Sequence, residues 1–318
     1  MDIAAYVPGI YPRPESLVTA TRDLDRGRTT TEAVEDLFGA ERRRLIHLQQ
    51  ESGLDLFTDG MLRWQDIFRP LADAAEGLEA RTLVRWFDNN SFYRAPHVTG
   101  SPRLDGHVPG VFDDEPAVPE PRAATLPSPY LFSRAAQANG DRDGLLRGLA
   151  GDVLAPAARA LAERGYALIH LQEPWLGFFG IDEPSWPAFQ EGVLAVREAA
   201  PETTLVLHVS HGDAAPHAER LGDLPVDAVG IDFVETDVER LPAPWGTGLV
   251  VGCLDARRSV IETAEGTAGF VRQVAETLEP TSLYLTPSSE LELLGADVAE
   301  RKVRRLGEVA ARVKESLG

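Results

Sequence analysis

Cysteine is almost absent from this chain. Its 318 residues include one, Cys253, which excludes an intrachain disulfide and any multi-cysteine zinc site. The surrounding run, Leu249 to Leu254, reads as a buried strand, where a thiol is inert. Lysine is nearly as rare, occurring only at Lys302 and Lys314. Positive charge is scarce altogether: 31 Lys and Arg against 50 Asp and Glu give a formal net charge of −19. Such a surface repels phosphate backbones and anionic lipid, so neither nucleic acid nor a membrane is an expected partner. No apolar run approaches the ~18 residues that suggest a membrane span. Met1-Asp2-Ile3 lacks the basic start of a signal peptide. The cytoplasm is the expected location and a small molecule the expected partner. No Gly-x-Gly-x-x-Gly follows the first strand-like run, which argues against a dinucleotide-binding fold.

What is present is an alternation of short apolar runs with long helical patterns, the signature of βαβ units. The strand-like runs are Ala4 to Gly9, Leu54 to Thr58, Ala123 to Leu126, Ala167 to Leu171, Thr204 to Val209, Ala228 to Phe233, Leu249 to Leu254 and Ser282 to Thr286. They are apolar on both faces, as parallel strands covered by helices must be. Thr29 to Glu32 fits a capping box opening a helix that ends at Gly53, and Ser259 to Glu262 fits a second. The stretch Leu145 to Gly165 and the segment from Asp297 to Leu317 have helical spacing. The expected fold is therefore α/β, a single closed (β/α)8 TIM barrel over residues 1–318. The region 81–121 breaks the rhythm and reads as an insertion or lid.

Barrel chemistry sits at the C-terminal ends of the strands. The polar residues there are Tyr11, Arg13, Asp59, Ser128, Gln172, Glu173, His208, Ser210, His211, Asp232, Glu235, Asp255, Arg257, Ser288 and Ser289. Right-handed crossovers set consecutive strand ends side by side. Glu173, His208, Ser210, His211 and Asp232 are thus expected to point into one pocket. Asp255 and Arg257 fit either a ligand contact or a structural ion pair at the rim. Trp86 to Tyr93 is the densest aromatic stretch. Its interleaved polar residues suggest a pocket wall containing Trp86, Asp88, Asn90 and Tyr93.

These segments together resemble the cobalamin-independent methionine synthase family, within the uroporphyrinogen decarboxylase-like barrel group. Trp86-Phe87-Asp88-Asn89-Asn90-Ser91-Phe92-Tyr93 is similar to the family's Trp-Phe-Asp-Thr-Asn-Tyr-His-Tyr signature, the most specific match. Gly9 to Arg13 resembles its first-strand turn, and Glu51 to Gly60 its second unit. Ala124 to Tyr130 resembles its Pro-Gly-Pro turn. Leu171-Gln172-Glu173-Pro174 resembles its Asp-Glu-Pro motif, and Leu207 to Ser210 its His-x-Cys segment. Thr286 to Ser289 lies where the family has Asn-Pro-Asp-Cys-Gly.

The resemblance implies methyl transfer at a zinc ion held by His, Cys, Glu and a second Cys. The matching positions here are His208, Ser210, Asp232 and Ser288 or Ser289. Serine hydroxyls are poor zinc ligands, because their oxygen stays protonated near neutral pH. The family's usual zinc is therefore not expected, and no metal ligand is assigned. The family's acids for the homocysteine amine correspond to Met61 and Gln172, which carry no charge. Three readings follow. One is a diverged methyl- or one-carbon-transferring enzyme with a non-homocysteine or differently activated acceptor. Another is a non-catalytic folate- or substrate-binding barrel like the N-terminal half of methionine synthase, to which Leu254 to Arg257 and Ser288-Ser289 are similar. The third is a metal-independent, decarboxylase-like enzyme. The expected catalytic residues are Glu173, His208, His211 and Asp232. Tyr11, Arg13, Asp59, Trp86, Asp88, Asn90, Tyr93, Gln172, Ser210, Asp255, Arg257 and Ser288 are expected to bind substrate. A folate or another methyl donor is the candidate cofactor, and a second barrel subunit or a homodimer the candidate assembly.

Overall fold

A computed structural model describes residues 1–105 and 118–318; the middle of the expected insertion lies outside the described residues. The strands are β1 (Ile3–Ala5), β2 (Glu76–Arg85), β3 (Phe92–Arg103), β4 (Arg122–Pro127), β5 (Tyr166–Glu173), β6 (Thr204–Val209), β7 (Ala228–Asp232), β8 (Gly248–Leu254) and β9 (Leu283–Pro287). Seven of them form one parallel sheet in the order β1-β9-β8-β7-β6-β5-β4. β2 and β3 form a separate antiparallel hairpin.

The sequence places a further strand at Leu54 to Thr58. The structure puts that segment between β1 and β4, but with one bridge, Phe57 to Arg122, instead of a ladder. The reason is local. Asp55 takes the Ala5 N–H with its side chain at 2.8 Å, displacing a backbone partner. The Gln49 amide clamps Thr58, accepting from its N–H at 3.0 Å and donating to its carbonyl at 2.9 Å. Backbone bonds still run from Asp55 N to Ala5 O and from Phe57 N to Pro121 O. The barrel therefore closes. Its interior layer draws on every position around the ring: Tyr6, Leu56, Ala123, Leu168, Val206, Ala228 and Val250, with Ala4 and Tyr284 against them. A larger apolar shell between sheet and helices surrounds it.

The helices are punctuated much as the sequence suggests. Thr30 caps Thr31–Glu51 by accepting from Ala33 N, and Gly53 beyond its end has φ +69°. The helical stretch before Gly165 contains one π-turn, Ala150–Leu154, directly ahead of Pro156. Proline has no N–H for the α ladder, and the wider turn absorbs the fault. Ser259 does not cap a helix. Helix Ala264–Leu278 starts at Thr263, whose side chain accepts from Gly266 N. Glu262 is drawn away instead. It accepts from Asp255 N at 2.8 Å and holds Lys302 Nζ at 2.9 Å through both oxygens.

Lys302 is wholly buried in the last helix, Ala296–Leu317. Lys302→Ala should leave Glu262 without its cation and lower stability by on the order of 3 kcal/mol. Urea unfolding measures this. A loss well under ~1 kcal/mol would mean that Glu262 simply turns to solvent.

Candidate active site

Above the apolar layer the barrel interior becomes polar. The Tyr6 hydroxyl meets His170 Nδ1 at 2.9 Å, and the His170 and His208 rings meet edge to face at 5.2 Å. His208 fits because β7 and β8 offer glycine beside it. A Cβ at Gly230 would lie 2.6 Å from its ring, and one at Gly252 would lie 3.3 Å from Nε2. Burial pushes the His208 pKa down to about 3, so the ring is neutral. Its Nε2 and the Thr286 hydroxyl have no hydrogen-bond partner among the described residues.

Glu173 does not face the mouth. A desolvated carboxylate needs donors, and Glu173 finds them at two helix starts. It accepts from Leu176 N at 2.8 Å, from Leu131 N at 3.0 Å and from the Ser128 hydroxyl. Burial nevertheless raises its pKa to about 7. The expected single pocket of Glu173, His208, Ser210, His211 and Asp232 is thereby corrected. Glu173 caps helices, His208 fills the barrel centre, and Ser210 and Asp232 hold His211.

His211 is held in a left-handed conformation, φ +62°, which is costly for a residue with a side chain. Its N–H donates to Asp232 Oδ2 at 3.1 Å, and its Nδ1 lies 3.2 Å from the Ser210 hydroxyl. Its Nε2 has no partner. Burial lowers the His211 pKa to about 3, while burial raises that of Asp232 to about 7. The next residue, Gly212, packs backbone to backbone on Gly177 of the helix Pro174–Phe179.

Two adjoining cavities occupy the strand ends beneath the hairpin. The smaller one, about 20 Å³, is walled by Asp66, Trp86, Tyr93, Gln172, Glu290 and Glu292. The wide one, about 800 Å³, is walled by Asp88, Asn90, His211, Glu235, Arg257 and Arg258. Ser91 and Glu292 line both. The aromatic stretch is thus divided. Trp86 and Tyr93 line the first cavity while packing on Phe68 at 6.0 and 5.1 Å. Asp88 and Asn90 line the second. The turn between them is closed by Trp86 N to Ser91 O at 2.9 Å.

The remaining expected binding residues separate in the same way. Gln172 lines the smaller cavity and donates to Glu290. Arg13 faces Glu292 electrostatically. Arg257 pairs with Glu235 at the wide cleft, not with Asp255. Asp255 instead accepts from the backbone N–H groups of Arg257 and Arg258, a turn that aims the arginine. Ser288 receives the Ala256 N–H at 3.2 Å and is structural. Asp59 accepts from Met61 N within its own turn. Tyr11 is buried beside Arg44, on the side of helix Thr31–Glu51. Asp66, Glu290 and Glu292 do not stand out in the sequence. Glu290 directly follows Ser288-Ser289, so carrying the strand-end rule one residue further would have found it.

Burial raises the carboxyl pKa values of Glu290 and Glu292 to about 7; at Glu292 the neighbouring Glu290 adds to the rise. Burial also raises Asp66, against backbone hydrogen bonds from Arg94, Phe68 and Arg69.

A parallel α/β barrel with polar cavities at its strand ends is the architecture of a small-molecule enzyme or binding protein. The chain belongs to the cobalamin-independent synthase family, whose N-terminal domain model matches residues 57–279. It is similar to a methionine synthase of Sulfolobus acidocaldarius, 26% identical over 324 residues covering 98% of this chain and 92% of the relative. In structure it is similar to a B12-independent methionine synthase from Shewanella sp. W3-18-1, solved in complex with selenomethionine. The TM-score is 0.75 at 18% identity, covering 99% of this chain and 98% of that one. A putative vitamin-B12 independent methionine synthase from Listeria monocytogenes gives 0.74 at 19%, covering 98% of each chain.

The residues at the family's zinc positions do not fit a zinc ion. His208 is enclosed by glycines, Ser210 lies against His211, and Ser288 receives a backbone N–H. Cys253 points to Thr286 O at 3.6 Å, and burial pushes its thiol up to about 12. Among the described residues, no group of three or more His, Cys, Asp or Glu could hold a metal ion. None of their helices is long and apolar enough to cross a membrane.

Proposed function

We propose that this chain is a methionine-synthase-like methyl-transfer enzyme whose acceptor is activated by the chain's own acid–base residues. The observation that carries the reading is Glu292, a half-buried carboxyl with pKa near 7 lining both cavities. A base works best when its pKa lies near the working pH. By that measure Glu292 suits the role, whereas His211 at about 3 does not. His211 acts as a neutral hydrogen-bonding group, oriented by Ser210 and Asp232.

In the proposed reaction a methyl–nitrogen or methyl–sulfonium bond of the donor breaks, and its electron pair stays with the donor. A new bond forms between that methyl group and the acceptor heteroatom. The acceptor's proton passes to the Glu292 carboxylate. A sulfonium donor leaves as a neutral thioether, whereas the nitrogen of a folate-type donor must be protonated as it leaves and takes up the proton that Glu292 has received; the wide cleft, about 800 Å³, is large enough for either donor. The acceptor differs from homocysteine or is activated differently, because neither zinc thiolates nor the family's amine-binding acids stand at the matching positions.

The test is transfer of a labelled methyl group from a methyltetrahydrofolate or a sulfonium donor to a panel of thiols and amines. Glu292→Gln should lower kcat on the order of 100-fold with little change in KM. Transfer by Glu292→Gln at the wild-type rate would sink the assignment.

A second reading is favoured by one finding: the matching family model is that of the N-terminal domain. A binding barrel, alone or paired with a second barrel, would bind donor or acceptor saturably without transferring the methyl group.

A further inference from the structure

We propose that Glu173 is a positioning residue for the wide cleft: its one carboxylate joins the starts of two helices, and through the second of them it sets the place of Phe178 and His211. The proposal rests on the reading above only in taking the wide cleft as the working site; it does not depend on methyl transfer.

An ordinary cap does not need such a residue. At exposed helix starts in this chain a short hydroxyl suffices: Thr30 accepts from Ala33 N, and Thr263 from Gly266 N. Helix Pro129–Ala135 even has a cap of its own, because the Ser128 hydroxyl oxygen accepts from Leu131 N at 3.0 Å. Glu173 is wholly buried, and desolvation of its carboxyl works against the fold. What it adds is a bridge. Oε1 takes Leu176 N of helix Pro174–Phe179 at 2.8 Å. Oε2 takes Leu131 N of helix Pro129–Ala135 at 3.0 Å, together with the Ser128 hydroxyl. The far end of the short helix is pinned to the same neighbour, since the Tyr130 hydroxyl donates to Gly180 O at 3.1 Å. Helix Pro174–Phe179 is therefore fastened to helix Pro129–Ala135 at both ends.

Two routes lead from that helix to the cleft. Phe178 lines the cleft wall, its ring 5.2 Å from Phe87. Gly177 lies backbone to backbone on the turn that carries His211. A Cβ at Gly177 would fall 2.3 Å from Ser210 O, and one at Gly212 would fall 1.9 Å from Gly177 O. No side chain cushions this contact, so a displacement of the helix passes directly to the turn. His211 is 3% exposed and held at φ +62°, a conformation that lasts only while its surroundings impose it. Release of the helix would relax that turn and uncover the imidazole.

The test needs neither ligand nor turnover. Glu173→Gln keeps the shape but puts an NH2 group where one acceptor oxygen stood, so one helix start loses its partner. Hydrogen exchange read by mass spectrometry should quicken in residues 129–133 or 174–178, and in 210–213 with them, by about tenfold. Diethyl pyrocarbonate acylates neutral imidazole, and peptide mapping should find His211 modified about tenfold faster than in the wild type. Thr30→Ala removes an ordinary cap and should leave both readouts unchanged. Faster exchange confined to the two helix starts, with His211 reacting at the wild-type rate, would overturn the proposal and leave Glu173 a helix cap. Equal release of His211 in Thr30→Ala would overturn it as well, because the effect would then be general loosening. If Glu173→Gln does not fold, Ser128→Ala decides. It keeps the carboxylate, removes one of its donors, and should speed His211 modification about threefold; an unchanged rate would overturn the proposal. A wild-type protein that transfers no methyl group would remove the catalytic reading and leave this coupling standing. Methyl transfer with His211 undisturbed in Glu173→Gln would do the reverse.

Discussion

Gly212→Ala should destabilise the protein by about 3 kcal/mol and weaken ligand binding at the wide cleft. A Cβ at Gly212 would fall on the carbonyl of Gly177, and one at Gly177 would fall on the carbonyl of Ser210. These are backbone atoms and cannot rotate aside. The helix Pro174–Phe179 and the His211 loop would have to separate. That motion would carry His211 away from Asp232 and disturb the Phe87 ring, whose centroid lies 5.4 Å from the imidazole. The control is Gly148→Ala in helix Arg142–Leu149, where an added Cβ meets nothing within 4 Å. It should be neutral or stabilising by a few tenths of a kcal/mol, roughly. Urea unfolding and ligand titration of both variants check the pair. A Gly212→Ala protein as stable as Gly148→Ala would show that this contact does not fix the loop.

Glu290→Gln should stabilise the protein in a strongly pH-dependent way. The Glu290 carboxyl has its folded pKa raised from 4.5 to about 7 by burial. Its favourable, protonated state in the fold is fully available below about pH 4.5 and is lost as pH rises through about 7. Glutamine keeps an acceptor for Gln172 and never ionises. The variant should match the wild type in acid and gain roughly 3 kcal/mol above neutrality. The buried histidines work in the other direction. His208 and His211 have folded pKa values lowered to about 3, so they withdraw stability as pH falls below 6.5. Unfolding across this range separates the two trends. A Glu290→Gln gain that is the same at every pH would show that the carboxylate is not desolvated.

The barrel was legible in the sequence because parallel strands announce themselves as apolar runs. Thr204–Val209 matches its run end for end, and Gly248–Leu254 differs by one residue. The segment Leu54 to Thr58 was legible as a barrel position but not as a bridge. Its ladder is replaced by the side chains of Asp55 and Gln49, and apolar periodicity carries no trace of that substitution. The false cap at Ser259 fails for a similar reason: Glu262 is claimed by a lysine from the last helix.

The site was less legible. Strand-end position brought forward His211, Gln172 and Arg257, which do line the mouth. It could not tell inward from capping orientation, so Glu173 and Ser128 looked like site residues when they close helix N-termini. Glu292 reaches the cavity from the short helical turn Leu291–Leu293, and Asp66 from the loop ahead of helix Arg69–Ala74. Nothing in their local sequence marks them.

The central claim is that the mouth works through Glu292 and His211, without a zinc site built on His208. Metal content measures this most directly, on protein purified without a histidine tag and before and after chelator treatment. The account predicts zinc well below one per chain, with ligand binding and methyl transfer surviving the chelator. One zinc per chain, lost in His208→Gln together with activity, would contradict it.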